Sequence, residues 1–165
     1  MKTLTEFYGT KRIKAKEMTR LEYNQYRSWS LPSNENGSDK GFLVEYIDGG
    51  ARNDNRHEGY ISWSPADVFT KHYQSVTKGM SFGHAIESLK AGKKVARSGW
   101  NGKGMFLFLV NGSTFTVNRE PLLSIMGEGT QVQHHAHVDM KTAQGYVVPW
   151  LCSQADMLAE DWVEV

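Results

Sequence analysis

MSFGHAIESLKAGKKVARSGWNGKGMFLFLV, residues 80–110, holds a helix and two strands in close succession. Ser81 stands at an N-cap position ahead of Phe82, Ala85, Ile86 and Leu89, whose i, i+3, i+4, i+7 spacing forms one apolar stripe. Gly92 supplies the stop, and Lys90 and Lys93 complement the carbonyl end of the helix dipole. Lys94 to Trp100 and Met105 to Val110 read as strands flanking Asn101-Gly102-Lys103-Gly104, where Asn-Gly offers the positive φ values of a tight hairpin. A one-striped helix followed at once by a hairpin predicts a helix packed on an antiparallel β-sheet.

Toward the C-terminus, Asn118 to Met126 reads as a helical excursion around Glu120-Pro121, closed by the Gly127-Glu128-Gly129 turn. His135 to Lys141 and Tyr146 to Trp150 predict a second hairpin through Ala143-Gln144-Gly145. Ser153 then opens a last short helix with Ala155, Leu158, Ala159 and Trp162 toward the core. Toward the N-terminus, Lys11 to Lys16 alternates as a strand, and Thr19 with Glu22 forms a capping box for a helix from Arg20 to about Arg27. Leu31 to Gly41 is a loop, Phe42 to Ile47 a strand ending at Asp48-Gly49-Gly50, and Tyr60 to Trp63 another. Ser64 as N-cap and Pro65 in the first turn start a short helix reaching Tyr73. The elements describe an α+β chain: a small α+β domain over residues 1–76, a linker within Gln74 to Gly79, and the helix-on-sheet domain over residues 79–165.

Nineteen Lys and Arg stand against eighteen Asp and Glu, a formal net charge of +1, which suggests neither a wrap around duplex nucleic acid nor an acidic tail protein. The basic charge is regional, concentrated in residues 1–20 and 78–103. Residues 153–165 carry Asp156, Glu160, Asp161 and Glu164 with no basic residue, so this tail is expected to pair with the basic regions. The single cysteine, Cys152, excludes an internal disulfide and every multi-cysteine metal site. The longest apolar run, Met105 to Val110, is far shorter than the roughly twenty residues of a membrane helix, and Met1 to Arg12 has no signal-peptide core. A soluble, intracellular chain without a membrane partner is the expectation.

No dinucleotide glycine fingerprint, phosphate loop, zinc-protease helix or nucleophile elbow occurs, which lowers the prospect of an enzyme. The densest ligand-like cluster is His134, His135, His137 and Asp139. Strand alternation would set His135, His137 and Asp139 on one face, where a metal could sit, although strand histidines more often meet solvent or donate a structural hydrogen bond. Cys152 directly before a helix start is placed where a thiol pKa can fall, but with no partner pattern it reads more plainly as a small buried residue.

The stronger constellation is Arg97, Trp100, Asn101, Gly102 and Lys103, joined by Trp150, Ser153, Gln154 and Asp156. A purine needs an aromatic face and polar groups for its edge, ribose hydroxyls need acceptors, and phosphates need Arg, Lys or amides. All these chemical types are present. The plainer account of the same residues is two tryptophans in a core and Asn-Gly in a turn.

Three runs settle on a resemblance: Met80 to Glu87, Val95-Ala96-Arg97-Ser98-Gly99-Trp100-Asn101-Gly102-Lys103-Gly104-Met105, and Pro149-Trp150-Leu151-Cys152-Ser153-Gln154-Ala155-Asp156 on to Trp162. In order and spacing they resemble the second Thoeris anti-defence family of phage proteins over residues 79–165. The resemblance implies a small protein that binds the signal made by a TIR-domain enzyme from NAD, a cyclic ADP-ribose isomer, and sequesters it intact without cofactor or catalysis. In some members cyclic trinucleotides are held as well. It implies a homotetramer with pockets between protomers, at work in the cytoplasm of the infected bacterial host.

Carried over by motif, Trp100 would stack on a base or wall the pocket, and Asn101 with the Gly102 backbone would meet polar edges. Arg97 or Lys103 would face the pyrophosphate, and Trp150, Ser153, Gln154 and Asp156 would form the other side, Asp156 toward ribose hydroxyls. Residues 1–76 lie outside the resemblance. Two rivals remain: a metal-dependent enzyme that degrades the signal through His135, His137 and Asp139, and a direct protein inhibitor acting through the N-terminal domain, with exposed aromatics such as Trp29.

Overall fold

The computed structural model describes residues 4–165, which form five helices and ten strands, all paired strands being antiparallel. The α+β class expected from the sequence is the one observed. The chain divides into two compact units, one running to Tyr73 and the other from Gln74 to Val165. In the second unit residues 74–79 are bonded in: the Gln74 side chain accepts from the Ser81 amide at 2.7 Å and donates to Glu160 at 3.0 Å, and the Glu164 amide reaches Val76 O at 2.7 Å.

The first unit contains β1 (Ile13–Glu17), α1 (Arg20–Tyr26), β2 (Gly41–Tyr46), β3 (Tyr60–Pro65) and α2 (Ala66–His72), with sheet order β1-β2-β3. Both halves of the Thr19–Glu22 capping box are made, at 3.2 and 2.7 Å. Pleating sorts the sheet into two faces. Leu43 and Ile61 lie on one, packed with Tyr23 of α1, and Phe42 on the other stacks against Phe69 of α2 at 3.9 Å. β1 starts at Ile13 rather than Lys11. Ser64 does not cap α2: it is still extended and paired with Phe42, so the N-cap falls on Pro65 and no side chain caps the helix.

The second unit contains α3 (Phe82–Lys90), β4 (Val95–Arg97), β5 (Phe106–Val110), β6 (Ser113–Thr116), α4 (Leu122–Met126), β7 (Gln131–His134), β8 (His137–Lys141), β9 (Val147–Pro149), α5 (Gln154–Met157) and β10 (Trp162–Glu164). Five strands form one sheet in the order β10-β4-β5-β8-β9, and β6 and β7 form a separate ribbon. The stripe of α3 lies on that sheet: Ala85 and Leu89 are buried with Met80, Val95, Leu107, Ala159 and Trp162, with Phe82 and Ile86 packed alongside. The β8–β9 hairpin forms as expected, with Gly145 at φ 93°.

Several expectations are corrected. Ser81 occupies the N-cap of α3, but its hydroxyl meets His84 Nδ1 at 3.1 Å instead of a helix amide. The strand from Lys94 to Trp100 stops at Arg97, and residues 98–105 form a broad loop in which Gly104, not Asn101-Gly102, takes the positive φ, at 71°. The last helix is a single turn, Gln154–Met157. Trp162 lies on β10, where Met80 and Trp162 exchange backbone hydrogen bonds at 2.8 and 3.1 Å, while Ala155 and Leu158 face solvent. Burying a whole indole between sheet and α3 outweighs continuation of a short helix. The β6–β7 ribbon was not anticipated from its polar Ser-Thr-Phe-Thr strand.

Trp162 is fully buried at the centre of this core. Trp162→Ala is expected to cost about 3–5 kcal/mol in urea unfolding of the second unit; a loss below about 1 kcal/mol would contradict its central role.

Candidate functional site

The turn from Ser153 to Asp156 builds the site. Ser153 caps α5: its hydroxyl oxygen accepts from the Asp156 amide at 3.1 Å, and the hydroxyl donates to Asp156 Oδ2 at 2.7 Å. So oriented, Asp156 Oδ1 accepts from Arg97 Nη1 at 3.0 Å, at the end of β4, and from Trp100 Nε1 at 3.1 Å. The Arg97 guanidinium also gives Nε to Asp161 Oδ1 at 2.7 Å, and Asp161 Oδ2 takes the Gly99 amide at 2.8 Å. Trp162 Nε1 donates to the backbone oxygen of Asp156 at 2.9 Å. Four of the nine residues expected in the site, Arg97, Trp100, Ser153 and Asp156, thus form one hydrogen-bonded cluster.

Trp150 joins it through the aromatic core. Trp100 and Trp150 each meet Trp162 edge-on, with centroids 5.4 and 6.1 Å away, and both remain half-buried. Asn101, Gly102 and Lys103 lie farther along the loop. Gly102 presses against the Met105 side chain and Ala143 with no room for a Cβ, whereas Asn101 and Lys103 are exposed. Gln154 is exposed, its side chain bonded to no described residue.

Electrostatics separates the roles. Arg97 lies between two carboxylates, and Asp161 first and Asp156 second raise its pKa above the usual arginine range. Asp161 is held low chiefly by Arg97. For Asp156 burial alone would push the pKa up, but hydrogen bonds from Ser153, Arg97 and Trp100 outweigh it and the net shift is downward. The Arg97 charge is therefore fully compensated. Of the four or so acceptor directions of the Asp156 carboxylate, three are filled by described donors, leaving one on Oδ2. Asp161 and Trp162 were not among the residues expected here, although the acidic tail, expected to pair with the basic regions, includes Asp161.

The other candidates fare differently. His135 sits in the link between β7 and β8 rather than on the strand, so it does not share a face with His137 and Asp139. His137 Nδ1 meets His135 O at 3.0 Å and its Nε2 lies 3.6 Å from Asp139. Among the described residues no three His, Cys, Asp or Glu side chains are grouped as a metal site. Burial, with a smaller push from Asp156, raises the Cys152 thiol pKa, the opposite of activation.

Comparison with known proteins matches the unit that contains this cluster. The family model for the Thoeris anti-defense 2-like domain matches residues 80–165. Thoeris anti-defense 2 of Bacillus phage SP01 is 42% identical over 86 residues, covering 50% of this chain and 91% of that protein. The class is therefore that of phage anti-defence proteins. The chain belongs to the Thoeris anti-defense 2-like family, and the resemblance read from residues 80–87, 95–105 and 149–162 is borne out.

Because folding lowers the pKa of Asp156 and Asp161, their contribution is present above the unfolded carboxylate pKa of about 4 and is lost as pH falls below it. Urea midpoints of the wild type should fall between pH 5 and 2, and Asp161→Asn should flatten that fall. At pH 7, Asp156→Asn should cost roughly 2 kcal/mol, as for a hydrogen bond to a charged group. Parallel pH profiles for wild type and Asp161→Asn would contradict the assignment.

Proposed function

We propose that the second unit binds a cyclic ADP-ribose isomer and holds it intact, so that the effector of Thoeris immunity never receives its signal. The observation that carries this reading is the 42% identity to Thoeris anti-defense 2 across the unit that contains the Arg97–Asp156 cluster. Capture rather than turnover is the function, exercised in the cytoplasm of the infected host.

The geometry supports a division of labour. Trp100 and Trp150, each braced edge-on by Trp162, keep their remaining ring surface for a base, and stacking on a ring already held in place avoids the cost of ordering it. Arg97, its charge compensated by Asp156 and Asp161, positions the 98–105 loop. Lys103, exposed and paired with no described residue, is the cation that faces the pyrophosphate. The free acceptor direction on Asp156 suits a ribose hydroxyl; Asn101, the Gly102 backbone and Gln154 supply further polar edges. Tyr146, Val147 and Val148, exposed along the β9 edge, with Leu151 and Leu158 nearby in sequence, are the apolar surface on which protomers of a homotetramer would meet.

The full chain, mixed with the TIR-made isomer in molar excess over it, should abolish effector activation. Trp100→Ala should weaken capture at least tenfold, whereas Trp100→Phe, which retains a stacking face, should weaken it far less. Lys103→Ala should reduce capture about fivefold at low salt and less at high salt. Capture by Trp100→Ala equal to that of the wild type would refute the reading.

A further inference from the structure

We propose that the first unit carries a second, separate binding site, for a small ligand bearing a phosphate or diphosphate group, in the recess between the C-terminal end of α1 and the loop of residues 47–59. The recess has a volume of about 600 Å³ and is lined by Arg27, Arg52, Asn53, Asp54, Asn55 and Arg56. It is broad and open to solvent with a largely polar lining, a form suited to a charged group held at the surface rather than to an enclosed apolar ligand.

Its walls are built. The loop is bolted to the sheet by Asn53, whose side chain donates to Ile61 O at 2.9 Å and accepts from Ile61 N at 2.8 Å. Glu45, buried on β2, accepts from the Glu58 and Gly59 amides at 2.9 and 3.2 Å and contacts His57 Nδ1 at 3.1 Å, and His57 Nε2 meets the Tyr26 hydroxyl at 2.8 Å. Two of the three guanidiniums are pre-oriented on aromatic faces, Arg56 3.7 Å over Tyr26 and Arg27 4.3 Å over Trp29. A ligand meeting them does not pay to order them.

The charge selects the ligand class. Asp54 is the only acid in the lining; it takes Arg56 Nε at 2.8 Å and Nη2 at 2.6 Å, and lies 3.7 Å from Arg27. One carboxylate against three guanidiniums leaves two positive charges. Pinning the loop uses Arg27, Asn53, Asp54 and Arg56 and leaves Arg52 out: it is exposed and bonded to no described residue, as is Nη1 of Arg56. The free fork of Arg52, the free Nη1 of Arg56 and a surplus of two charges match a phosphate dianion or a diphosphate better than a single carboxylate.

The test is calorimetric titration of the full chain with inorganic pyrophosphate and with ADP, in the wild type, Arg52→Gln and Lys103→Ala. Arg52 has no described partner, so its replacement leaves the loop pinned. The expected result is one pyrophosphate per chain, weakened by salt, at least fivefold weaker in Arg52→Gln and unchanged in Lys103→Ala. Tighter binding of ADP than of pyrophosphate would support a nucleotide as the ligand, and equal binding would support recognition of the phosphates alone. Absence of heat up to millimolar pyrophosphate would overturn the proposal. So would binding that survives Arg52→Gln and vanishes in Lys103→Ala, because it would belong to the second unit. Retention of a single-stranded oligonucleotide without any response to pyrophosphate would overturn it as well.

Discussion

One guanidinium set between two carboxylates holds the second unit in the form its site requires. Arg97 ends β4, Asp156 lies within the single turn of α5, and Asp161 immediately precedes β10, so the two ion pairs, at 3.0 and 2.7 Å, tie β4 in one corner to two neighbouring elements about sixty residues later in the chain. The Trp100 and Trp162 indoles complete that corner by donating to the side chain and to the backbone of Asp156. A half-buried charge cluster is stable only when its hydrogen-bonding capacity is met. Here the Ser153 hydroxyl and the Gly99 amide fill much of what Arg97 and Trp100 leave open. The Trp100 and Trp150 surfaces proposed to receive a ligand are therefore fixed before any ligand arrives.

The first unit uses a related device. Glu45 lies buried at the foot of a long loop and gathers two amides and an imidazole, as Asp156 gathers a guanidinium, an indole and a hydroxyl. In each case a carboxylate with its lone pairs largely occupied replaces regular secondary structure as the means of holding irregular backbone. Loops held this way can present charged groups outward in a constant geometry. Lys103 in one unit and Arg52 in the other are such groups.

Local signals were legible where local physics governs. The Thr19–Glu22 capping box, the 82-85-86-89 stripe of α3 and the β8–β9 hairpin depend on neighbours a few residues away, and all three form. The short tail after Ser153 was misread because its helical spacing is overridden by pairing of β10 with β4, a contact across about sixty-five residues whose driving force is the burial of Trp162. The width of the 98–105 loop was hidden for the same reason: the Asp161 backbone oxygen takes the Ser98 amide in line with the ladder, but its carboxylate takes the Gly99 amide, and strand pairing ends there. Arg97, Trp100, Ser153 and Asp156 were legible as a group because they lie in recurring runs. That Arg97 is paired twice, and so is a scaffold rather than a free cation, depends on the spacing of the elements and could not be read from the chain alone.

The central claim is that the second unit captures a nucleotide signal without altering it. The most direct measurement is calorimetric titration of the full chain with the TIR-made cyclic ADP-ribose isomer, followed by heat release and chromatography of what was bound. The account predicts saturable, stoichiometric binding and recovery of the same isomer in full. Recovery of a cleaved or rearranged nucleotide, or no binding at micromolar concentrations, would contradict it.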